Sequence, residues 1–539
     1  MQKPKPSHVY LLIAVVMFVL LGIAGFSSAM GGRPAVERRP DLIVIDIPAV
    51  EGRDKMAPVT FLHGPHAEAV EGDCSVCHMT KADRPVFKFK RLTDADENTL
   101  MDLYHDDCAA CHAARKEKHL ETGPDAGQCR VCHDHRPAVE PGQQPVKFDR
   151  SLHFRHERST EIKPTPAGDT VNCGVCHHQY NPKTLDIYYE KGREGACVYC
   201  HKPEPVDGIR SIRKAAHDDC VACHRSLQKK DIAAGPVTCA ACHAIDAFKD
   251  IKPLKDVPRL KRNQPDALFI SGWGGMYLTA AEAAGLEKQF MKAVPFDHRS
   301  HEGVVDSCKT CHHESLDKCS KCHTPEGSEK GGYFRLDQAM HEQTSDRSCQ
   351  GCHDRQKTER PNCAGCHFLM PEKPFADQAC VKCHASDIPA VTLITMETSE
   401  QRKMARSTLD RLIDRFRPLA DEKIPETVTI DDIADTYEPC RFPHRKIVKS
   451  IMERIGGSNM ARVFHGDGVT ICRGCHHNSP PSVEPPSCAS CHGKPAFARD
   501  GRPGLKGAYH GQCITCHQKM NIEAVAAADC TKCHQEKSP

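Results

Sequence analysis

The 539-residue chain sets 73 lysines and arginines against 71 aspartates and glutamates, a formal charge of +2 with its 34 histidines neutral. That balance offers no polybasic surface for nucleic acid. With 39% hydrophobic and 5% aromatic residues, the chain is poor material for one large side-chain core. Several domains are expected, with some other apolar filler inside them.

The chain opens with a segment of secretory character. Lys3 and Lys5 form a positive n-region, Val9 to Phe26 is an apolar run, and Ser27-Ser28-Ala29 offers small residues for cleavage. Residues 1–29 read as an export signal, or as an uncleaved anchor because the run is long. No later segment approaches spanning length, so the remaining chain is expected in the periplasm, associating with membranes only through a partner.

Beyond this leader, Cys-x-x-Cys-His occurs sixteen times and uses 32 of the 33 cysteines. In the first half the pairs are Cys74 with Cys77, Cys108 with Cys111, Cys129 with Cys132, and Cys173 with Cys176. Cys197 with Cys200, Cys220 with Cys223, and Cys239 with Cys242 follow. The second half has Cys308 with Cys311, Cys319 with Cys322, Cys349 with Cys352, Cys363 with Cys366, and Cys380 with Cys383. Cys472 with Cys475, Cys488 with Cys491, Cys513 with Cys516, and Cys530 with Cys533 close the series. This spacing is the attachment signal for c-type haem, two thioethers to a porphyrin and an axial histidine to its iron.

The axial histidines are His78, His112, His133, His177, His201, His224, His243 and His312. They continue with His323, His353, His367, His384, His476, His492, His517 and His534. Zinc sites or redox disulfides also use Cys-x-x-Cys, but neither requires a histidine after every second cysteine. Sixteen covalent haem c groups are expected, and their apolar plates supply the missing interior. The fold should be mostly irregular and loop-rich, with short α-helices, little β structure and a haem-dominated core. Without haem it should not fold.

Setting aside His8 in the leader, 17 histidines lie outside the motifs, a near match to sixteen irons. Their placement repeats. His63 and His66 precede the first motif, His153 and His156 the fourth, and His298 and His301 the eighth, always as His-x-x-His. The motif histidine is doubled at His177-His178, His312-His313 and His476-His477. His105-Asp106-Asp107-Cys108 recurs as His217-Asp218-Asp219-Cys220.

This grammar resembles the small tetrahaem cytochromes c of sulfate-reducing bacteria, the class III family, fused in tandem over nearly the whole chain. The resemblance implies bis-histidine iron. The first histidine of His-x-x-His serves the first haem of a group and the second serves the third haem. The doubled histidine serves the second haem, and one near the third motif serves the fourth. Motifs one to three then take His63, His66 and His105, as a group lacking its second haem, since Met79 follows His78. Motifs four to seven take His153, His178, His156 and His217. Motifs eight to eleven take His298, His313, His301 and His341, and motifs thirteen to sixteen have His465, His477 and His510. Motif twelve stands apart and is given His444 from the same intervening segment. The domains implied are 30–142, 143–250, a linker 251–285, 286–375, 376–463 with the lone haem and a helical insertion, and 464–539.

Gly468 stands where a second histidine should follow His465, so the haem at Cys513 and Cys516 is expected to lack a distal ligand. His119 and His135 have no assignment, and Cys440 reads as a plain thiol. Leu409, Leu412, Ile413 and Phe416, and again Ile447, Val448, Ile451, Met452 and Ile455, follow helical spacing. These helices pack on the haem groups or meet a partner. Two basic clusters, Lys252 to Arg262 and Arg441 to Arg454, read as solvated or propionate-facing cations, or as a docking patch for an acidic redox partner.

The function implied is electron transfer, not enzyme catalysis. The resemblance points to hydrogenase as donor through a small tetrahaem cytochrome, and to a transmembrane redox complex as acceptor in sulfate respiration. The alternative is a multihaem reductase acting on a small nitrogen species at the open haem of motif fifteen.

Overall fold

A computed structural model describes residues 37–48, 55–81, 84–135, 137–164, 171–274, 279–368, 370, 377–434, 437–494, 501–522 and 530–537. The leader expected at residues 1–29 lies outside them. Among the described residues, no helix is long and apolar enough to cross a membrane. Backbone contacts divide the chain into two compact units. One takes the chain up to Lys147 together with Cys200–Asp256, and the other takes Phe148–Tyr199 with Val257–Pro539.

The first unit is held by two-stranded ribbons. Leu42–Ile45 pairs antiparallel with Val59–Leu62, His78–Lys81 with Arg84–Phe89, and Glu37–Arg39 runs parallel to Val139–Pro141. Its longest helix, Glu97–Glu117, starts where the Asp96 carboxylate accepts from Thr99 N–H at 3.0 Å, and it contains motif two. The buried apolar side chains described here are few: Leu42, Ala215 and Ala222. Such a set cannot offset the entropy of ordering this much chain, so side chains alone do not make the interior.

Among the described residues, the buried apolar clusters lie in the second unit. Trp273, Leu286, Ala293, Ala390 and Leu393 pack together, and Ala267, Ala405 and Leu409 pack beside them, with Phe269 touching both clusters. Helix Thr398–Ile413 buries Ala405, Thr408, Leu409 and Leu412 on one face. Helix His444–Gly456 buries Met452 and Ile455. The helices expected in the motif-free segment are therefore present, although the first ends at Ile413 and leaves Phe416 in the turn beyond. Arg406 on that helix bonds Asp297 at 2.9 Å, tying the motif-free segment to the start of helix His298–Glu302.

Candidate haem-binding sites

Most motifs sit in one of two local structures, and motif six runs from a π-helical turn, His217–Val221, into helix Ala222–Gln228. Cys74–Val76, Cys173–Val175, Cys308–Thr310 and Cys319–Lys321 are single 3-10 turns, whereas Cys239–His243, Cys349–Glu359 and Pro361–His367 are α-helical. In the turns, the N–H of the motif histidine donates to the first cysteine's carbonyl, at 2.8 Å for His177 and His323 and 2.9 Å for His312. Both cysteines and the histidine thus become one rigid unit. None of the 33 cysteines is in a disulfide. Among the described residues, no three histidine, cysteine or acidic side chains gather as a conventional metal cluster.

What does gather is pairs of imidazoles. Thirteen motif histidines face one non-motif histidine with ring centroids 5.9 to 6.4 Å apart. Rings packing directly come closer here, 4.2 Å for Phe61 on His66 and 4.3 Å for Phe296 on His301. Two metal–imidazole bonds of about 2 Å each, plus roughly 1 Å from each nitrogen to its ring centre, span this gap. The narrow range, always motif against non-motif, fits a haem iron between each pair.

Several pairs follow the sequence expectation. His63 faces His78, His66 faces His112, and His105 faces His133. His153 faces His177 and His217 faces His243. His298 faces His312, His313 faces His323, and His301 faces His353. His477 faces His492 and His510 faces His534.

Three non-motif histidines face motif histidines other than those expected. His341 lies 6.1 Å from His384 of motif twelve, not beside motif eleven. His465 lies 5.9 Å from His367 of motif eleven, not beside motif thirteen. His444 lies 6.4 Å from His476 of motif thirteen, not beside motif twelve. Motifs eight, nine, ten and twelve are therefore the ones that draw on His298 to His341. Motif eleven is the lone member, its partner ring coming from some hundred residues downstream.

The cause lies in a strand-end pattern. Phe61-Leu62-His63, Phe296-Asp297-His298 and Phe442-Pro443-His444 each put a phenylalanine at a strand end and a histidine at the start of a helix. The Phe-to-His ring distances are 6.2, 6.0 and 6.0 Å. His444 is thus the first histidine of the last group, and Ile447 holds the place of its second. Gly468, expected to mark that missing histidine, has another role. A Cβ there would lie 2.6 Å from the Arg417 carbonyl, where its own N–H donates at 3.1 Å. Among the described residues no histidine ring faces His517.

The second nitrogen of most rings is also engaged. Motif histidines donate Nδ1–H to backbone carbonyls: His112 to Pro124 at 2.9 Å, His201 to Arg210 at 2.8 Å, His224 to Pro236 at 3.1 Å, His384 to Lys292 at 2.6 Å and His492 to Pro503 at 2.8 Å. Helical distal histidines donate to the carbonyl four residues back, as His66 to Leu62, His217 to Arg213 and His341 to Asp337. These bonds leave Nε2 as the ligating lone pair. Burial holds the rings neutral, lowering His63, His78, His177, His353 and His465, and taking His367 down to about 4. Gly123 and Gly235 matter in the same way. A Cβ on Gly123 would stand 2.5 Å from the His112 ring, and one on Gly235 would strike His224. Sequence reading passed over this Gly-Pro pair, eleven and twelve residues after its histidine in both places.

The model of the Class III cytochrome C family matches residues 40–133, 135–243, 276–384 and 443–537. The chain belongs to the class III cytochrome c family. The match at 276–384 takes in motif twelve, and that at 443–537 opens just before His444. This class III cytochrome is 40% identical over 537 residues to the high-molecular-weight cytochrome c of Nitratidesulfovibrio vulgaris Hildenborough, covering 96% of each. It is 39% identical over 266 residues to the nine-heme cytochrome c of Desulfovibrio desulfuricans, 46% of this chain and 80% of that one. Among solved structures, the high-molecular-weight cytochrome c of Desulfovibrio vulgaris Miyazaki F, crystallised with zinc ion, superposes with a TM-score of 0.74 at 38% identity. It covers 95% of this chain and 100% of that one. The sixteen-heme cytochrome of Desulfovibrio gigas gives 0.74 at 36% identity, over 93% and 100%. The chain is a multihaem c-type cytochrome acting in electron transfer.

His119 and His135 lie exposed. Cys440 sits half-buried in strand Cys440–Phe442 opposite Ile430, and burial pushes its thiol up. The basic clusters are partly spent internally. Arg259 pairs with Glu302 and Asp266, Arg262 with Glu194, and Lys449 with Asp421. Arg441, Lys446 and Arg454 are exposed.

Proposed function

We propose that the chain carries sixteen covalent haems and works as a periplasmic electron relay. It would accept electrons from hydrogenase through a small tetrahaem cytochrome and deliver them to a transmembrane redox complex in sulfate respiration. The observation that carries this reading is the recurrence of the 6 Å imidazole pair. Each bound iron supplies a one-electron site. The chain's own residues do the rest. Paired cysteines would hold each porphyrin, facing imidazoles would ligate its iron, and Nδ1–H bonds to carbonyls hold the rings against rotation. For motifs five and six, the resemblance gives His178 and His156 as the facing rings.

At motif fifteen Ile447 replaces the facing histidine, which leaves that haem with one protein ligand. A single such position among sixteen supports a relay over a small-nitrogen reductase. The test is haem counting by mass on the purified protein, followed by anaerobic reduction with hydrogen, hydrogenase and a small tetrahaem cytochrome. Sixteen haems reduced only when both proteins are present is the expected result. Fewer haems, or turnover of nitrite faster than reduction by that pair, would refute it.

A further inference from the structure

The distal histidines divide by what their Nδ1 meets. His66, His156, His217, His301 and His341 face uncharged carbonyls at 2.7 to 2.8 Å. His63, His298 and His444 make no such bond, because each is the first residue of its helix and no helical carbonyl lies four residues before it. One turn ahead of them stand Ala67, Glu302 and Val448 respectively, so only His298 has a carboxylate there, while the Pro425 carbonyl approaches His444. Glu302 places a carboxylate oxygen 2.8 Å from His298 Nδ1. That oxygen lies outside hydrogen-bond geometry with the ring N–H, and among the described residues Nδ1 has no hydrogen-bond partner, so the carboxylate acts on the ring as a charge at close range.

The carboxylate does not reach there by chance. Arg259 grips it with two nitrogens, Nε to Oε2 at 2.6 Å and Nη2 to Oε1 at 2.7 Å, and bonds Asp266 with its third. Glu302 is 15% exposed and Arg259 30%. Neighbouring cases differ. Glu157, at the same spacing from His153, is exposed, and Glu314 stands 3.9 Å from His313 in the open.

A carboxylate on the outer nitrogen of a ligating imidazole raises its basicity and favours the more positive metal. We propose that Glu302, aimed by Arg259, is a positioning residue that makes His298 an electron-rich ligand and lowers the reduction potential of the haem on Cys308 and Cys311. This rests on the reading that His298 and His312 hold that iron.

The experiment is a redox titration of the holoprotein, followed optically and by electron paramagnetic resonance. Glu302→Gln should ease reduction of one haem in sixteen by about tenfold, ~59 mV for one electron, and should move the largest g-value of one low-spin signal. Glu302→Asp keeps the charge but withdraws it from Nδ1, so it should shift the same haem the same way. Glu314→Gln should leave every haem in place. Superimposable titrations of the Glu302 variants and the parent, with sixteen haems present, would overturn the proposal. So would equal shifts in the Glu314 variant, or no shift with Glu302→Asp. Fewer than sixteen haems in the parent would instead strike the ligation reading beneath it.

Discussion

Replacing His465 by alanine separates the observed ligand map from one that counts motifs in order. In the structure His465 faces His367 at 5.9 Å, so the iron link would close a loop of roughly 100 residues, from motif eleven to the end of helix Asn459–Phe464. Chain-entropy arguments for a cross-link of that span give about 4.7 kcal/mol, against about 2.8 kcal/mol for the ~11 residues separating His465 from motif thirteen. Both are upper bounds for a reversible metal bond in a chain already pinned elsewhere. Integrated electron paramagnetic resonance of the oxidised protein should rise from one high-spin iron to two. Repeating the change in a Cys363→Ser, Cys366→Ser background, which lacks haem eleven, should add no further open iron. A second open iron appearing there as well would place His465 on another motif and refute the reasoning.

Ile447→His should close motif fifteen, removing the single high-spin signal and abolishing carbon monoxide binding by the reduced protein; persistence of both would show that Ile447 is not the residue opposite His517. Gly123→Ala forces a methyl to within 2.5 Å of the His112 ring, and overpacking of this kind costs about 1–3 kcal/mol, so haem two should load incompletely on a mass measurement. Glu194 offers a test against pH. Burial raises its carboxyl, but the Gly192 N–H, the Tyr189 hydroxyl and Arg262 outweigh burial and leave it below the ordinary glutamate range. Its contribution is therefore present above the unfolded-state value and is lost as pH falls through the lower folded-state value. Glu194→Gln should cost about 1.5–3 kcal/mol at neutral pH and flatten the acid limb of a stability–pH curve, whereas an unchanged limb would argue against the network.

Much of the site was legible because covalent chemistry is local. Haem attachment needs five consecutive residues, and His-x-x-His needs one helical turn, so both survive as strings. The errors arose where ligation is long-range. Motif eleven stands between motifs ten and twelve, so assigning His341 by order set it against His367, whereas its ring faces His384, and the displacement passed on to His465 and His444. The Phe-x-His strand end that identifies His444 was present in the sequence, but without a second histidine it was passed over. Gly468 was read as a lost ligand although packing against Arg417 accounts for it. The helices of the motif-free segment were visible from periodicity. That Thr398–Ile413 packs its Ala405 and Leu409 on Ala267 and Phe269 was not, because tertiary partners leave no periodic trace.

The ring that faces motif eleven comes from beyond the whole motif-free segment, and this governs how the protein can be dissected. Any cut between Cys366 and His465 severs an iron from its cap, however neatly it falls between helices. Fragments ending at residue 384 would carry an exposed, reactive metal that the intact chain shields. His465 follows motif eleven by about a hundred residues, so the ring that faces His367 is made long after its partner.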